Sequence, residues 1–208
     1  MSSDKPRPSS TVPMRERVLD AAERLLTQDG AAFSMRELAD EAGVSFATPF
    51  NQFGSKAGIM QALSARRIAS MRERLAQAAL PARAVSRVLA AVEIAVAVML
   101  EAPGVNRAVM GALGAPSDAP GDVLARSSGL WAEALADGKG LASATRIRAL
   151  SVLPDQLAFA FRGVLSFWTA GELDDEMLGR RARSAAAAAL LGFIGREDRA
   201  EVFVLLEE

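Results

Sequence analysis

Apolar residues recur at helical spacing along the chain. Between Met14 and Gln28 the residues Val18, Ala22, Leu25 and Leu26 fall at i, i+4, i+7 and i+8, the single apolar stripe of a first helix. Asp29-Gly30 stops that helix, with Gly30 suited to the left-handed position just past a helix end, and Ala31 to Phe33 form a short connection. Ser34-Met35-Arg36-Glu37 is a capping box: the Ser34 hydroxyl accepts from the Glu37 amide while the Glu37 carboxylate returns to the Ser34 amide. It predicts a second helix through Leu38 and Ala39 to about Ala42. Gly43 then supplies a tight turn, Val44 plugs the core, and Ser45 caps a third helix over Phe46 to Gln52. Gly54-Ser55 separates it from a long fourth helix beginning near Lys56.

The helical pattern continues from Gly58 to about Ala79, and Pro81 marks the next boundary, before a fifth helix over Ala82 to Glu101. Ala102-Pro103-Gly104 ends it. Asn106 to Leu113 reads as a short helix, Gly114 to Gly121 as a loop holding two prolines, and Asp122 to Ala136 as helix again. After Gly138-Lys139-Gly140, the residues Leu157, Phe161, Leu165 and Trp168 mark a broad apolar face, with Pro154 near its first turn. Gly171 closes that helix. A final long helix opens acidic at Asp174-Asp175-Glu176 and runs through Arg180, Arg181 and Arg183 into the alanines from Ala185, the charge order a helix dipole favours.

Composition agrees with helices. Half of the 208 residues are apolar and only 5% are aromatic, with no Tyr, which favours packed helices over a β-sandwich. The expected fold class is all-α. The chain has no Cys and no His, so disulfides, thiolate or imidazole metal sites and the commonest general base are all unavailable. No metal and no cofactor is expected. Residues 1–12 are polar and rich in proline and read as a disordered leader without an export signal, which points to a cytoplasmic protein. The apolar run from Val88 to Leu100 is too short to span a bilayer and is broken by Glu93, so no membrane partner is expected. Net charge is −1, and the first sixty residues carry one more acidic than basic side chain, so bulk charge gives no sign of nucleic acid.

The strongest functional signal is local. Two short helices joined by a three-residue turn on Gly43 and braced by a longer first helix form a helix-turn-helix over about 34–53, a unit whose second helix enters a major groove. A helical hairpin of any α-protein has the same spacing. The residues separate the two readings. Ala21-Ala22, Leu25, Gly30, Phe33-Ser34-Met35, Leu38-Ala39, Ala42-Gly43-Val44-Ser45, Phe50, Phe53 and Ser55-Lys56 closely resemble the amino-terminal domain of the TetR family, over about a quarter of the chain.

That resemblance implies an all-helical homodimer: a disordered leader over 1–12, a DNA-binding domain over 13–60, and an effector-binding and dimerisation domain over 61–208. It implies that Ser34, Arg36, Phe46, Ala47, Thr48, Phe50, Asn51, Gln52 and Lys56 contact a double-stranded operator. Ser34 and Ser45 sit at helix N-termini, where free amides favour a phosphate, and Lys56 offers a further charge. Arg36 suits guanine or phosphate, Asn51 and Gln52 suit bases or backbone, and Thr48 and Ala47 suit a thymine methyl. Ser34 and Ser45 are equally caps, and Phe50 and Phe53 are equally core. Three residues depart from the family pattern: Phe50 replaces a usual Tyr, Gln52 a common His, and Pro49 an aliphatic residue inside the recognition helix. Pro49 removes one amide and restricts Thr48, so a short or tilted helix is expected.

The resemblance also places a small-molecule effector among the helices from Met71 to Ala136. The candidates are Met71, Met99, Met110, Leu113 and Trp131 as apolar lining, with Glu93, Asn106 or Arg107 as polar anchors. Phe161, Leu165 and Trp168, with Ala185, Ala188 and Ala189, are candidates for the homodimer interface, since small side chains allow close helix approach and aromatics anchor contacts. Core packing inside one subunit competes for the same residues. No convergent enzymatic motif is present: Asp137-Gly138-Lys139-Gly140 lacks the earlier Gly of a phosphate loop and has Gly140 where Ser or Thr is needed. The expected function is a ligand-responsive repressor released from a palindromic operator by a mainly apolar effector. The alternative is a helical adaptor that uses the helix-turn-helix as scaffold for a protein partner.

Overall fold

The computed structural model describes residues 13–29, 33–115 and 121–207. The expected leader, the Gly30 stop and the prolines of the loop before Gly121 lie outside the described residues. Ten α-helices follow in order: α1 (Met14–Asp29), α2 (Met35–Ala42), α3 (Ala47–Phe53), α4 (Lys56–Gln77), α5 (Ala84–Leu100), α6 (Pro103–Gly114), α7 (Val123–Leu135), α8 (Arg146–Thr169), α9 (Asp175–Leu190) and α10 (Arg199–Glu207). The described residues contain no strand, only an isolated bridge between Leu141 and Ile194. The fold is all-α.

Two apolar cores share two helices. The first gathers Val18, Ala22 and Leu26 of α1, Leu38 and Ala42 of α2, and Ile59, Met60 and Leu63 of α4. The second holds Ile68, Met71 and Leu75 of the same α4, the buried face of α5 from Ala84 to Met99, and the inner faces of α7, α8 and α9. α4 therefore crosses residue 60 without a break. α6 is divided in the same way, with Val105 and Val109 in the first core and Met110 in the second. A displacement of α6 or α4 is thus felt in both, because packed interiors transmit strain rather than absorb it.

Three local differences from the expectation have physical causes. Pro103 opens α6 rather than ending α5, since its missing amide is harmless in a first turn. Pro154 lies inside α8, whose apolar face begins upstream with Ala149 and Leu153. It forfeits one helical hydrogen bond, which the buried face outweighs. α10 was not anticipated. Val202 is fully buried, and just before the helix Arg83 grips the buried Asp198 with two parallel bonds of 2.7 and 2.8 Å, tying the carboxy-terminal segment to the start of α5. No helix of the described residues is long and apolar enough to cross a membrane; α5 and α6 reach that length only together, across a 102° bend.

Candidate nucleic-acid interface and central cavity

The capping box forms as its spacing dictates. The Glu37 amide donates to Ser34 Oγ at 3.2 Å, and the Ser34 amide donates to Glu37 Oε2 at 2.6 Å. That backbone bond, then the Ser34 hydroxyl, holds the Glu37 carboxyl below its ordinary pKa. At the other end of α2, Gly43 adopts φ 63°, and the Gly43 and Val44 amides fold back on the carbonyls of Asp40 and Ala39. This is the doubly bonded left-handed stop that favours glycine. Arg17 of α1 completes the turn by donating to the Ala42 and Gly43 oxygens at 2.8 and 3.3 Å. Nothing in the local pattern around Gly43 pointed to Arg17, because the contact spans 25 residues.

α3 begins one residue later than expected. Ser45 makes no cap: its hydroxyl pairs with that of Thr48 at 2.8 Å, while the Thr48 amide donates to the Ser45 carbonyl in a tight turn. Phe46 takes the cap position without a side-chain bond. Pro49 is buried and falls in the first turn, where no helical amide bond is required, so the helix runs on to Phe53. The outer face carries Phe46, Ala47, Phe50, Asn51 and Gln52, all exposed, with Thr48 half-buried. Phe50 is 40% exposed and is not core; Phe53 is half-buried beneath the Arg15 guanidinium at 4.3 Å. Arg36 of α2 stands over Phe46 at 5.8 Å, and Phe46 meets Phe50 edge-on at 5.4 Å. These three make a continuous ridge, with Ser34 exposed at the start of α2.

Two residues seat this ridge from behind. Lys56 does not extend outward: its ammonium donates to the Phe33 carbonyl at 2.9 Å and lies 4.5 Å from the Phe33 ring centre, so it braces the entry to α2. Gly58 lies where α4 meets the end of α3. A β-carbon there would sit 2.0 Å from the Phe53 carbonyl oxygen, so only glycine permits the approach.

The second feature is a cavity of about 60 Å³ enclosed by α4, α5, α6, α7 and α8. Of the residues expected there, Met71, Met99, Asn106 and Met110 line it. Leu113 instead faces an adjoining groove of about 380 Å³ that shares Ser127 and Arg162 with the cavity. Trp131 is buried behind the wall, edge-on to Phe161 at 5.5 Å. Arg107 is drawn away by Asp175 at 2.6 Å and covers the Trp168 ring. Glu93 is exposed on the α9 side of α5, 3.7 Å from Arg183. Ser64, Arg67, Ser127 and Arg162 complete the polar lining and were missed. The only sequence sign of Arg162 is a charge at helical spacing between the apolar Ala158 and Leu165.

Asn106 is 1% exposed and spends its amide inside the protein: Nδ2 donates to the Met99 and Val98 carbonyls at the end of α5, and Oδ1 accepts from Arg67 at 2.8 Å. Arg67 in turn meets Glu23 of α1 at 2.7 Å. A polar chain therefore links the cavity wall to the first helix of the amino-terminal unit.

The proposed dimer residues divide. Phe161 and Leu165 line the cavity, and Trp168 is fully buried with its indole N–H donating to Asp175 at 2.8 Å, so these three pack inside one subunit. Their i, i+4, i+7 spacing marks the inner face of α8. Ala185 and Ala189 are half-buried and Ala188 is exposed on α9. The exposed aromatics of α8 are Phe159 and Phe167, 51% and 54% accessible. Among the described residues no group of His, Cys, Asp and Glu could hold a metal ion.

Residues 18–63 match the family model described as bacterial regulatory proteins, tetR family. No curated protein matches the chain. The solved structures similar to the chain include the following three. A TetR transcriptional regulator from Rhodococcus sp. RHA1 is 20% identical with a TM-score of 0.67, over 86% of this chain and 96% of that one. A putative tetR family transcription regulator from Shewanella sp. PV-4 is 17% identical with a TM-score of 0.60, over 89% and 100%. A protein of unknown function from Rhodococcus sp. RHA1 is 25% identical with a TM-score of 0.57, over 91% and 100%. Residues 18–63 therefore form an amino-terminal domain of the kind found in the bacterial regulatory proteins of the tetR family, and the all-helical fold of these solved structures extends along most of the chain.

Proposed function

We propose that this transcriptional regulator is a ligand-responsive repressor that binds a palindromic operator as a homodimer and is released when a small molecule occupies the central cavity. The observation that carries the DNA reading is the exposed ridge from Arg36 through Phe46 to Phe50, mounted on a short helix with Asn51 and Gln52 beside it. Arg36 reaches guanine or phosphate, the two Phe rings and Ala47 meet thymine methyl groups, and the amides of Asn51 and Gln52 read base edges or bind backbone. Ser34 presents the start of α2 to a phosphate. Two such heads in a dimer gather enough phosphate contacts without a basic domain.

The dimer forms through the outer faces of α8 and α9, where Phe159, Phe167 and Ala188 are exposed. Effector and DNA are linked through α4 and α6, which belong to both cores, and through the Glu23–Arg67–Asn106 chain. A ligand that displaces this chain favours a head spacing that no longer fits successive major grooves, so each ligand weakens the other's binding.

The test is selection of bound duplexes from a random pool with the full chain, followed by gel shift of the enriched site. A palindrome is expected to emerge, with affinity falling as salt rises and Arg36→Ala weakening binding by about tenfold. If nothing is enriched, or Arg36→Ala binds like the wild type in every salt, the DNA-contact assignment is wrong. The adaptor reading predicts no enrichment.

A further inference from the structure

The cavity contains a cation that no acid of the described residues neutralises. Arg162 of α8 is half-buried, and among the described residues its guanidinium reaches only Met110, with Nη1 3.4 Å from the sulfur and Nη2 3.5 Å from the backbone oxygen. Both are long contacts to weak or poorly placed acceptors. Other arginines at the helix interfaces differ: Arg67, Arg83 and Arg107 each meet a carboxylate within 2.7 Å. Burial pushes the Arg162 guanidinium below its ordinary pKa, the direction expected where water is withdrawn and no anion replaces it. Among the described residues the cavity lining includes no Asp or Glu, and its second cation, Arg67, is already paired with Glu23.

We propose, taking the cavity as the effector site, that the effector is a monocarboxylate on an apolar body, its acid group paired with Arg162 and its hydrocarbon laid against Met71, Met99, Phe161 and Leu165. One free guanidinium forks onto one carboxylate, forming two parallel charge-assisted bonds. A dianion would need a second free cation, and Arg67 is engaged. A neutral molecule would leave the half-buried charge unpaired, and an ammonium would repel it. Arg162 and Ser127 stand where the cavity joins the adjoining groove, which lets an acid enter at the neck. The three methionines of the wall are flexible enough to widen a 60 Å³ space around an alkyl or aryl chain.

Calorimetric titration of the full chain tests this with straight-chain carboxylates from butanoate to decanoate, and with octanol, octylamine and octyl phosphate as arms of different charge. The best carboxylate is expected to bind at least about tenfold tighter than the neutral, cationic or dianionic probe. Arg162→Met should weaken the carboxylate by about 10- to 100-fold and leave octanol unchanged or tighter, while Arg162→Lys keeps the carboxylate preference. Without probe, Arg162→Met should melt no lower than the wild type, because it removes a desolvated, unpaired charge. The proposal is overturned if octanol, octylamine or octyl phosphate binds as tightly as the best carboxylate, if Arg162→Met binds it like the wild type, or if no carboxylate binds. Gel shift of the same preparations without probe scores the regulator reading separately, since DNA binding does not depend on the ligand's chemistry.

Discussion

Replacing Gly58 with alanine would test whether the recognition helix is positioned by main-chain contact from behind. The added β-carbon would sit 2.0 Å from the Phe53 carbonyl oxygen and 3.1 Å from its carbon, so the end of α3 must retreat by about 1 Å to reach even the 3.0 Å limit of tolerated contacts. Helix propensity alone favours alanine by about 1 kcal/mol. Overpacking against a backbone that cannot rotate away opposes this by about 1–3 kcal/mol, so a modest net loss of stability is expected. DNA affinity is the sharper measure. Hydrogen bonds to bases operate within a few tenths of an ångström, and a shift of about 1 Å takes Asn51 and Gln52 out of reach of contacts worth about 1–3 kcal/mol each. Gel shift on the selected operator should show a loss of about tenfold or more, beyond what the change in melting temperature explains. Gly129→Ala on α7 is the control. Its β-carbon meets nothing within 4 Å, so it should stabilise slightly and leave DNA affinity unchanged. If Gly58→Ala melts at or above the wild type and binds the operator equally well, the seating argument fails.

Arg67→Gln removes the pair with Glu23, whose two side chains are 18% and 26% exposed, and should cost about 1–2 kcal/mol in denaturant unfolding. The same variant should also narrow the difference in operator affinity with and without effector; an unchanged ratio would remove Arg67 from the coupling route. Ser34→Ala should lower stability by about 1 kcal/mol in thermal melts. Because the folded-state pKa of Glu37 is depressed, its contribution is present above its ordinary value near 4.5 and fades as pH falls through the lower folded value. Glu37→Gln should therefore flatten that acid limb of the stability curve, and a limb identical to the wild type would contradict the assignment. Phe167→Glu places a charge on the outer face of α8, and sedimentation should show a shift toward monomer with weaker operator binding; an intact dimer would move the interface elsewhere.

The helix-turn-helix was legible in the sequence because its determinants are local. A capping box spans four residues, a left-handed glycine acts on its own turn, and an apolar stripe needs only one helix to be visible, so Ser34–Glu37, Gly43 and the Val18–Leu26 stripe predicted α1 and α2 correctly. The resemblance over this segment likewise rested on contiguous residues. Periodicity also located the apolar face of α8, but it could not say what that face packs against: Phe161, Leu165 and Trp168 look inward, while Phe159 and Phe167 stay exposed. The same ambiguity separated Lys56, turned onto Phe33, from Arg36, which remains outside. Arg17 on the Gly43 turn, Gly58 against Phe53 and Arg67 between Glu23 and Asn106 depend on pairs brought together only by packing. So does the solitude of Arg162. A sequence lists its charges, but whether one of them lacks a partner is decided by every helix packed around it.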